Sequence, residues 1–241
     1  MPERRHWLDG RVAIVTGAGS GIGRAAAEAM AAVGASLVLA GRTPSRLDEA
    51  AATIRKQGGQ ATAVPCDVGR ADDVERLFEA AARIGPPTAL VCAAAILEKM
   101  PIDEISPHVW EETLRVNLTG AFLCSRRAFS LMRGAGGGRI VTLGSLSGVY
   151  GTEKFPGLAA YNVSKYGVVG LTEALAVEGK PYGISAICIS PGAVDTELLR
   201  RANPSLRPGL TPADVAALIV SLFDGAMVPA SGANIPLFSN A

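Results

Sequence analysis

Short apolar runs rich in β-branched residues alternate with segments of helical apolar spacing along this chain of 241 residues. The runs are continuous rather than alternating in polarity, which is typical of parallel strands covered by helices on both faces. We predict strands over residues 11–16, 36–40, 61–64, 88–93, 139–143, 184–189 and 234–237. The predicted helices cover residues 22–33, 45–57, 71–84, 107–133, 159–178 and 212–223. The pattern predicts one α/β domain over residues 1–241, with a doubly wound sheet of seven parallel strands flanked by helices.

The charge balance bears on the kind of partner. The chain has 23 Lys and Arg against 22 Asp and Glu, for a net charge of +1. Such a chain lacks the basic field that holds a polyphosphate backbone, so we expect a small-molecule partner and no nucleic acid. The longest apolar run, residues 89–97, is far shorter than the ~18 residues of a membrane span. We expect no membrane partner and a cytoplasmic protein.

Metal and hydrolase chemistry are disfavoured by the histidine and cysteine content. His6 and His108 are the two histidines, so zinc motifs that need several histidines do not occur, and both are predicted at the surface. The stretch 144–148 has Leu146 where the serine of a G-x-S-x-G hydrolase turn would stand. The four scattered cysteines form no C-x-x-C pair and are predicted to be reduced packing residues: Cys66, Cys92, Cys124 and Cys188. We therefore expect no metal site.

A glycine-rich turn lies between the first predicted strand and the first predicted helix. It reads TGAGSGIG over residues 16–23, which fits T-G-x-x-x-G-x-G and departs from G-x-G-x-x-G. Free N–H groups at a helix N-terminus attract a pyrophosphate, and missing β-carbons allow its close approach. Such a turn alone can be structural, but its place in the strand-helix order is typical of Rossmann-type dinucleotide sites. The predicted cofactor ligands in it are Gly17, Ser20, Gly21, Ile22 and Gly23.

Two further positions bear on the choice of cofactor. An acid at the end of the second strand would hold the adenosine ribose, but here Arg42 follows instead. A guanidinium there suits a 2′-phosphate, so NADP(H) is favoured over the alternative NAD(H), unless Arg42 is simply a solvated cation. Asp67, after the third strand, is predicted either to contact the adenine amino group or to cap the next helix.

A tyrosine and a lysine four residues apart, Tyr161 and Lys165, open the predicted helix 159–178. Residues at this spacing share one helix face, so the ammonium lies beside the phenol. A nearby positive charge favours phenolate, so we expect Lys165 to lower the pKa of Tyr161 from its ordinary value near ~10. This spacing alone is common on helix surfaces. The residues predicted to lie near the pair are what favour a catalytic role for it.

The neighbours are hydroxyl and amide side chains. Ser145 and Ser147 follow the fifth predicted strand, at the sheet edge where ligands bind in such folds. Asn117 places a polar side chain inside an apolar helical stretch, where it needs a partner and can loosen the helix around a water.

In this order, the motifs resemble the short-chain dehydrogenase/reductase family, and in particular its NADP-preferring, 3-oxoacyl-ACP reductase-like members. The matching stretches are residues 16–23, Asp67 with Val68, Asn117, Ser145, Tyr161 with Lys165, and Pro191 with Gly192, followed by Val194 and Thr196. The resemblance covers nearly the whole chain.

The resemblance implies specific roles. Tyr161 would be the general acid/base, Lys165 would lower its pKa and bind the nicotinamide ribose, and Ser145, rather than Ser147, would hold the substrate oxygen. Asn117 would anchor a proton-relay water. The implied cofactor contacts, besides the glycine turn, Arg42 and the Tyr161–Lys165 pair, are Asp67, Val68, Ala93, Ala94, Pro191, Gly192, Val194 and Thr196. The resemblance also implies a homotetramer or dimer.

Departures from the family pattern lie at residues 92–95 and at the substrate loop. Residues 92–95 read CAAA where the family usually has Asn-Asn-Ala-Gly, which puts sheet stability and cofactor affinity in question; we expect tolerance through backbone contacts. Residues 150–158 form a longer connection than usual. The substrate loop at about 194–211 is short, and its arginines either meet an anionic group or face solvent.

Three functions remain open on the sequence. The first is an NADPH-dependent reductase of a ketone, aldehyde or 3-oxoacyl group, with a small-molecule carbonyl or alcohol as substrate. The second is a dehydrogenase that oxidises a secondary alcohol or sugar. The third, motivated by residues 92–95, is a dinucleotide-binding protein without catalysis.

Overall fold

A single sheet of seven parallel strands forms the centre of the computed structural model, which describes residues 7–238. The strand order is β3-β2-β1-β4-β5-β6-β7. The strands are β1 Val12–Thr16, β2 Ser36–Gly41, β3 Gln60–Pro65, β4 Pro87–Cys92, β5 Gly138–Leu143, β6 Ile184–Pro191 and β7 Asn234–Leu237. The predicted doubly wound α/β fold is confirmed, and each predicted strand is present within one or two residues of its predicted bounds.

Helices cover both faces of this sheet. They are α1 Gly21–Ala32, α2 Pro44–Lys56, α3 Ala71–Ala82, α4 Pro107–Leu114, α5 Gly120–Gly134, α6 Ala159–Gly179, α7 Glu197–Ala202 and α8 Pro212–Leu222. Consecutive strand residues face opposite layers: Ala13 and Val15 pack with α1, α2 and α8, whereas Val12 and Ile14 pack with α3, α5 and α6. Full burial of such a valine or isoleucine contributes about 1.5–3 kcal/mol, which explains why the strands read as unbroken apolar runs.

Two helical segments differ from the prediction. The helix predicted over 107–133 is interrupted by a π-helical turn, Arg115–Thr119, that separates α4 from α5. The tightly packed Gly120 follows that turn: a β-carbon there would lie 2.5 Å from Cγ2 of Val68. The short helix α7, inside the predicted substrate loop, was not predicted. It begins at the N-cap Thr196, whose side chain accepts a hydrogen bond from Leu199 N at 3.2 Å.

The winding of the sheet reverses between β1 and β4, which are neighbours. The loops after β1, β4, β5 and β6 therefore meet at one edge of the sheet, where ligands bind in folds of this kind. Within residues 7–238 no helix is both long and apolar enough to cross a membrane. The four cysteines are buried and unpaired, as expected, and His108 is exposed. His6 lies outside the described residues.

Candidate functional site

The glycine-rich loop between β1 and α1 presents backbone rather than side chains to the cleft. A β-carbon on Gly17 would lie 2.8 Å from Ala94 N, and one on Gly23 would lie 2.4 Å from the carbonyl oxygen of Gly17. Gly17 and Gly21 have φ of +68° and +53°, which side chains disfavour. The Ser20 side chain makes no capping bond to α1, so no side chain competes for the first N–H groups of the helix. This cradle fits a pyrophosphate.

The chain departs from the family pattern at the end of β4, and Thr16 compensates for that departure. The backbone N–H groups of Ala93 and Ala94 donate to Thr16 Oγ1 at 3.1 and 3.2 Å. These bonds tie β1 to the segment after β4 without the missing amide side chains. These bonds give a physical basis for the expected tolerance of the sequence CAAA at residues 92–95. That sequence is therefore no longer a reason to consider a protein without catalysis.

A smaller cleft of about 170 Å³ lies beside the cradle, and its lining includes Gly17, Ser20, Arg42, Asp67 and Val68. Arg42 is exposed there. Asp67 donates from its backbone to Asp73, while its carboxylate accepts from Gly69 N at 3.0 Å and from Arg115 Nη2 at 2.8 Å. Burial acts to raise the pKa of Asp67, but the bonds from Arg115 and Gly69 outweigh it and the pKa is lowered.

The alternative that Asp67 caps the next helix is wrong. The N-cap position of α3 is Arg70, and the Asp67 carboxylate is engaged with Arg115 instead. Arg115 also donates to Glu112 at 2.6 and 2.8 Å, and it opens the π-helical turn. Asp67 thus connects the smaller cleft to that turn, and the predicted adenine contact remains a prediction.

A larger cleft of about 780 Å³ contains the predicted catalytic side chains Ser145, Tyr161 and Lys165. Tyr161 and Lys165 lie one turn apart on α6, both buried, with the ammonium nitrogen 5.5 Å from the centre of the phenol ring. Lys165 Nζ donates to the carbonyl oxygen of Leu143, at the end of β5, at 2.7 Å. The structure therefore brings the predicted acid, its amine and the hydroxyl into one site.

The two serines after β5 have different surroundings. Ser145 lies close enough to Tyr161 to act on its pKa, and Ser145 Oγ accepts from Ser147 N at 3.1 Å. Ser147 lines the cleft from the short helical turn Leu146–Gly148. Gly148 lets this turn pack on α6, because a β-carbon there would lie 2.5 Å from the backbone of Lys165. Both serines line the cleft, and the choice of Ser145 over Ser147 stays a prediction.

The pKa shifts at the site are dominated by burial. Burial raises the pKa of Tyr161 from 10.0 to about 12, although the nearby Ser145 hydroxyl acts to lower it. Burial lowers the pKa of Lys165 from 10.5 to about 8. The expected lowering of the Tyr161 pKa by Lys165 is therefore not found, because desolvation of the phenolate dominates and the opposing contribution comes from Ser145.

Asn117 lies in the π-helical turn, and its side chain is fully engaged by protein. Its Oδ1 accepts from Ile96 N at 2.8 Å, and its Nδ2 donates to Ile96 O at 2.9 Å and to Ser164 Oγ at 3.1 Å. Asn117 thus fastens the segment after β4 to α6, next to Lys165. Its predicted link to a relay water stays a prediction.

The segment after β6 closes the cleft on one side. Pro191, Gly192, Val194 and Thr196 line it, together with Ile22 and Ala93. Thr196 lies against the cradle, since a β-carbon on Gly21 would be 3.2 Å from Thr196 Cγ2. The base of the substrate loop is closed by Asp195 N, which donates to Leu210 O at 2.8 Å. The predicted cofactor positions of this segment thus surround the cleft.

Sequence reasoning missed an ion pair across the mouth of the site. Arg46 Nη1 on α2 lies 2.9 Å from Glu197 Oε2, the first residue of α7. Arg46 also lines the smaller cleft, so the pair joins the cofactor side to the substrate loop. A partial signal existed, because Arg46 follows Arg42 by four residues at a helix start, but nothing local points to Glu197.

Within the described range 7–238 no group of three or more His, Cys, Asp and Glu side chains is placed to hold a metal ion.

Residues 11–207 match the family model for short chain dehydrogenases. The chain is 36% identical over 212 residues to a 3beta-hydroxysteroid dehydrogenase of Mediterraneibacter gnavus, covering 87% of this chain and 75% of the relative. It is 34% identical over 241 residues to the D-threitol dehydrogenase of Mycolicibacterium smegmatis, covering 95% and 91%. A solved structure from Beutenbergia cavernae, with bound NADP at low occupancy, is similar with a TM-score of 0.88 at 34% identity over 96% of both chains.

Proposed function

Since this chain belongs to the short-chain dehydrogenase family and is an oxidoreductase acting on hydroxyl and carbonyl groups, we propose that it is an NADP(H)-dependent carbonyl reductase. The observation that carries the proposal is the meeting of Ser145, Tyr161 and Lys165 in one cleft. Ala95 lines both this cleft and the smaller one beside the glycine cradle, so the two form a continuous site. An elongated dinucleotide suits such a site.

The residues present fit that cofactor. The β-carbon-free cradle of Gly17, Gly21 and Gly23 would hold the pyrophosphate, and Lys165 would hold the nicotinamide ribose. Arg42, exposed beside the smaller cleft at the end of β2, favours a 2′-phosphate and hence NADP(H). When bound, the nicotinamide supplies the hydride that reduces the carbonyl carbon.

Three side chains of the cleft transfer the proton and stabilise the charge that develops. Tyr161 donates its phenolic proton to the substrate oxygen, and its raised pKa keeps that proton in place until the oxygen gains charge. The Ser145 hydroxyl donates to the same oxygen and stabilises the developing negative charge. The ammonium of Lys165, 5.5 Å from the ring, stabilises the phenolate left behind until solvent returns a proton.

Replacement of Tyr161 by phenylalanine tests this proposal. Tyr161→Phe removes the proton donor but keeps the ring, so NADPH consumption across a carbonyl panel should fall about 1000-fold, equivalent to about 4 kcal/mol. NADPH binding, followed by fluorescence, should stay within about twofold of wild type. Tyr182→Phe makes the same change outside the cleft and should leave turnover unchanged. Normal carbonyl reduction by Tyr161→Phe would disprove the mechanism.

A second candidate is oxidation of a secondary alcohol or sugar. The relative named D-threitol dehydrogenase favours it, because it aligns over 95% of this chain. The same residues serve the reverse reaction, with Tyr161 as base. Initial rates measured with NAD and NADP in both directions distinguish the two functions.

A homotetramer or dimer and a cytoplasmic location belong to the same proposal. Exposed apolar side chains on α5 and α6, such as Phe122, Val163 and Val177, support self-association. Light scattering of the purified protein measures the oligomeric state.

A further inference from the structure

The substrate side of the larger cleft lies beyond Ser145 and Tyr161, between the connection 149–158 and the loop that carries α7. We propose that the substrate carries its reacting carbonyl on an apolar, ring-bearing skeleton rather than on a polyhydroxylated chain. This inference rests on the proposed function and specifies its substrate class.

The walls of this side are aliphatic. They include Leu97, Leu146, Val149, Leu158, Leu198 and Leu206. The charged lining side chains other than Lys165 are Lys99, Glu153 and Arg207, and all three are exposed. Charge is therefore confined to the rim and mixed in sign, which does not suit a sugar acid. An apolar skeleton would release ordered water from these walls on binding.

The polar side chains in the walls are largely engaged already. Thr152 Oγ1 donates to the carbonyl oxygens of Leu146 and Val149, and Asn203 Oδ1 accepts from Ser205 at 2.9 Å. Apart from the reacting centre, the groups left to meet substrate hydroxyls are the Ser147 hydroxyl, the Asn203 amide nitrogen and, at the mouth, the Tyr150 hydroxyl. A polyhydroxylated ketone would lose its bonds to water on entering and find too few partners to replace them.

Aromatic side chains surround the mouth of the cleft. Tyr150 is 93% exposed, Phe155 38% and Phe238 59%, and all three line the cleft. Solvent-exposed aromatic rings at a binding site favour a flat apolar ligand, because such a ligand can stack on them and remove their apolar surface from water. Their position extends the apolar surface from the leucine walls outward, so a substrate of more than one ring is accommodated.

Two ketone probes test the inference on the NADPH-loaded enzyme: 1-tetralone, a fused bicyclic ketone, and erythrulose, a polyhydroxylated one. We expect kcat/KM for 1-tetralone to exceed that for erythrulose at least 100-fold. Calorimetric titration of 1-tetralone into the enzyme with NADP should give a negative heat-capacity change, the sign of apolar burial, and this readout needs no turnover.

A variant at the mouth of the cleft, compared with one outside it, tests whether the aromatic side chains bind the apolar substrate. Tyr150→Ala should raise KM for 1-tetralone about fivefold and weaken its calorimetric binding equally, with a smaller change in KM for erythrulose. Because Tyr150 is almost fully exposed, this change does not endanger folding. Ile102→Ala, an exposed apolar position outside the cleft, should change neither substrate.

The outcomes separate this inference from the proposed function. Preference for erythrulose, or an unchanged KM for 1-tetralone in Tyr150→Ala, would overturn the apolar substrate class while leaving a working reductase. If no carbonyl is reduced, the proposed function fails instead. In that case, calorimetric binding of 1-tetralone that Tyr150→Ala weakens would still support the apolar site, and its absence would overturn it.

Discussion

The cofactor side and the substrate side of the cleft are built from different materials. On the cofactor side, backbone atoms make the surface: a β-carbon at Gly17 or Gly23 would overlap neighbouring backbone. On the substrate side, leucine and aromatic side chains project from the connection 149–158 and from the loop that carries α7. The cofactor side has no room for an added β-carbon at these glycines. On the substrate side, one side chain can replace another without moving the backbone. Cofactor binding should therefore tolerate substitution far less than substrate selectivity does.

The sharpest test of this contrast adds one methyl group to the cradle. Gly23→Ala places a β-carbon 2.4 Å from the carbonyl oxygen of Gly17, so the loop must shift. We expect NADPH affinity to fall about 1000-fold, or about 4 kcal/mol, as measured by fluorescence titration, and overpacking to cost about 1–3 kcal/mol of stability in urea unfolding.

The matched control is Gly134→Ala, at the end of α5, where a β-carbon meets nothing within 4 Å. It should leave NADPH affinity unchanged and stability the same or slightly higher. Equal effects of the two substitutions would break the comparison, since they would show that the cradle is no more restrictive than an open helix end.

A smaller effect is expected where a charge is buried between the two sides, at Lys165. Its pKa is lowered from 10.5 to about 8 in the folded cofactor-free protein. Between pH 8 and 10.5 the side chain of Lys165 is more protonated in the unfolded chain than in the folded protein, so its contribution to the free energy of unfolding rises with pH. Below pH 8 the buried charge costs about 3 kcal/mol. Lys165→Met removes that cost but also the bond to Leu143, so we expect a net gain of about 2 kcal/mol at pH 7.

Urea unfolding of the cofactor-free protein between pH 7 and pH 10 checks this prediction. The stability of the wild type relative to Lys165→Met should rise with pH above 8. The buried thiols Cys66, Cys92 and Cys124, whose pKa values are raised by burial, lower the stability of both proteins alike as pH rises and cancel in this difference. Tyr161 does not interfere, because its pKa is raised from 10.0 to about 12, so the stability it contributes is lost only above pH 10. Lys56→Met, an exposed lysine at the end of α2, should keep the wild-type slope. A wild-type slope in Lys165→Met would contradict the assignment of the buried charge.

The smallest effect is expected at the ion pair between Arg46 and Glu197, which joins the two sides. Both side chains are exposed, so solvent screening keeps the contribution of this pair to stability small. Glu197→Gln weakens the hold on Arg46, whose guanidinium can then serve a 2′-phosphate. We expect the ratio of kcat/KM for NADPH to that for NADH to rise about threefold.

Asp195→Asn provides the comparison, because Asp195 pairs with Arg200 within the substrate loop and not with α2. Its ratio of NADPH to NADH use should equal that of wild type. A fall in the ratio for Glu197→Gln would mean that the pair positions Arg46 for the cofactor rather than competing with it.

The parallel sheet and the position of the glycine-rich loop were predictable because their signals are local. Continuous apolar strands, the glycine turn and the four-residue spacing of Tyr161 and Lys165 each follow from neighbouring residues. Three features were not predictable in this way. The ion pairs of Asp67 with Arg115 and of Arg46 with Glu197 join residues far apart in the chain. The direction of the Tyr161 pKa shift depends on how deeply the fold buries the ring.

The substrate side was predicted only as a loop for a related reason. Helix α7 is six residues long, too short for a periodic pattern, and it forms where Thr196 caps it against the cradle. The π-helical turn likewise arises from tertiary bonds, since Asn117 is held by Ile96 and Ser164. Such features follow from packing between segments, which a single chain's local pattern does not contain.

The five-residue turn Arg115–Thr119 makes contact in two directions. Arg115, at its start, donates a hydrogen bond to Asp67 beside the smaller cleft. Asn117, two residues later, donates one to Ser164 on helix α6. A five-residue piece of backbone therefore connects the smaller cleft to the helix that carries Tyr161 and Lys165. A substitution that displaces this turn should disturb the geometry at both ends of the site together.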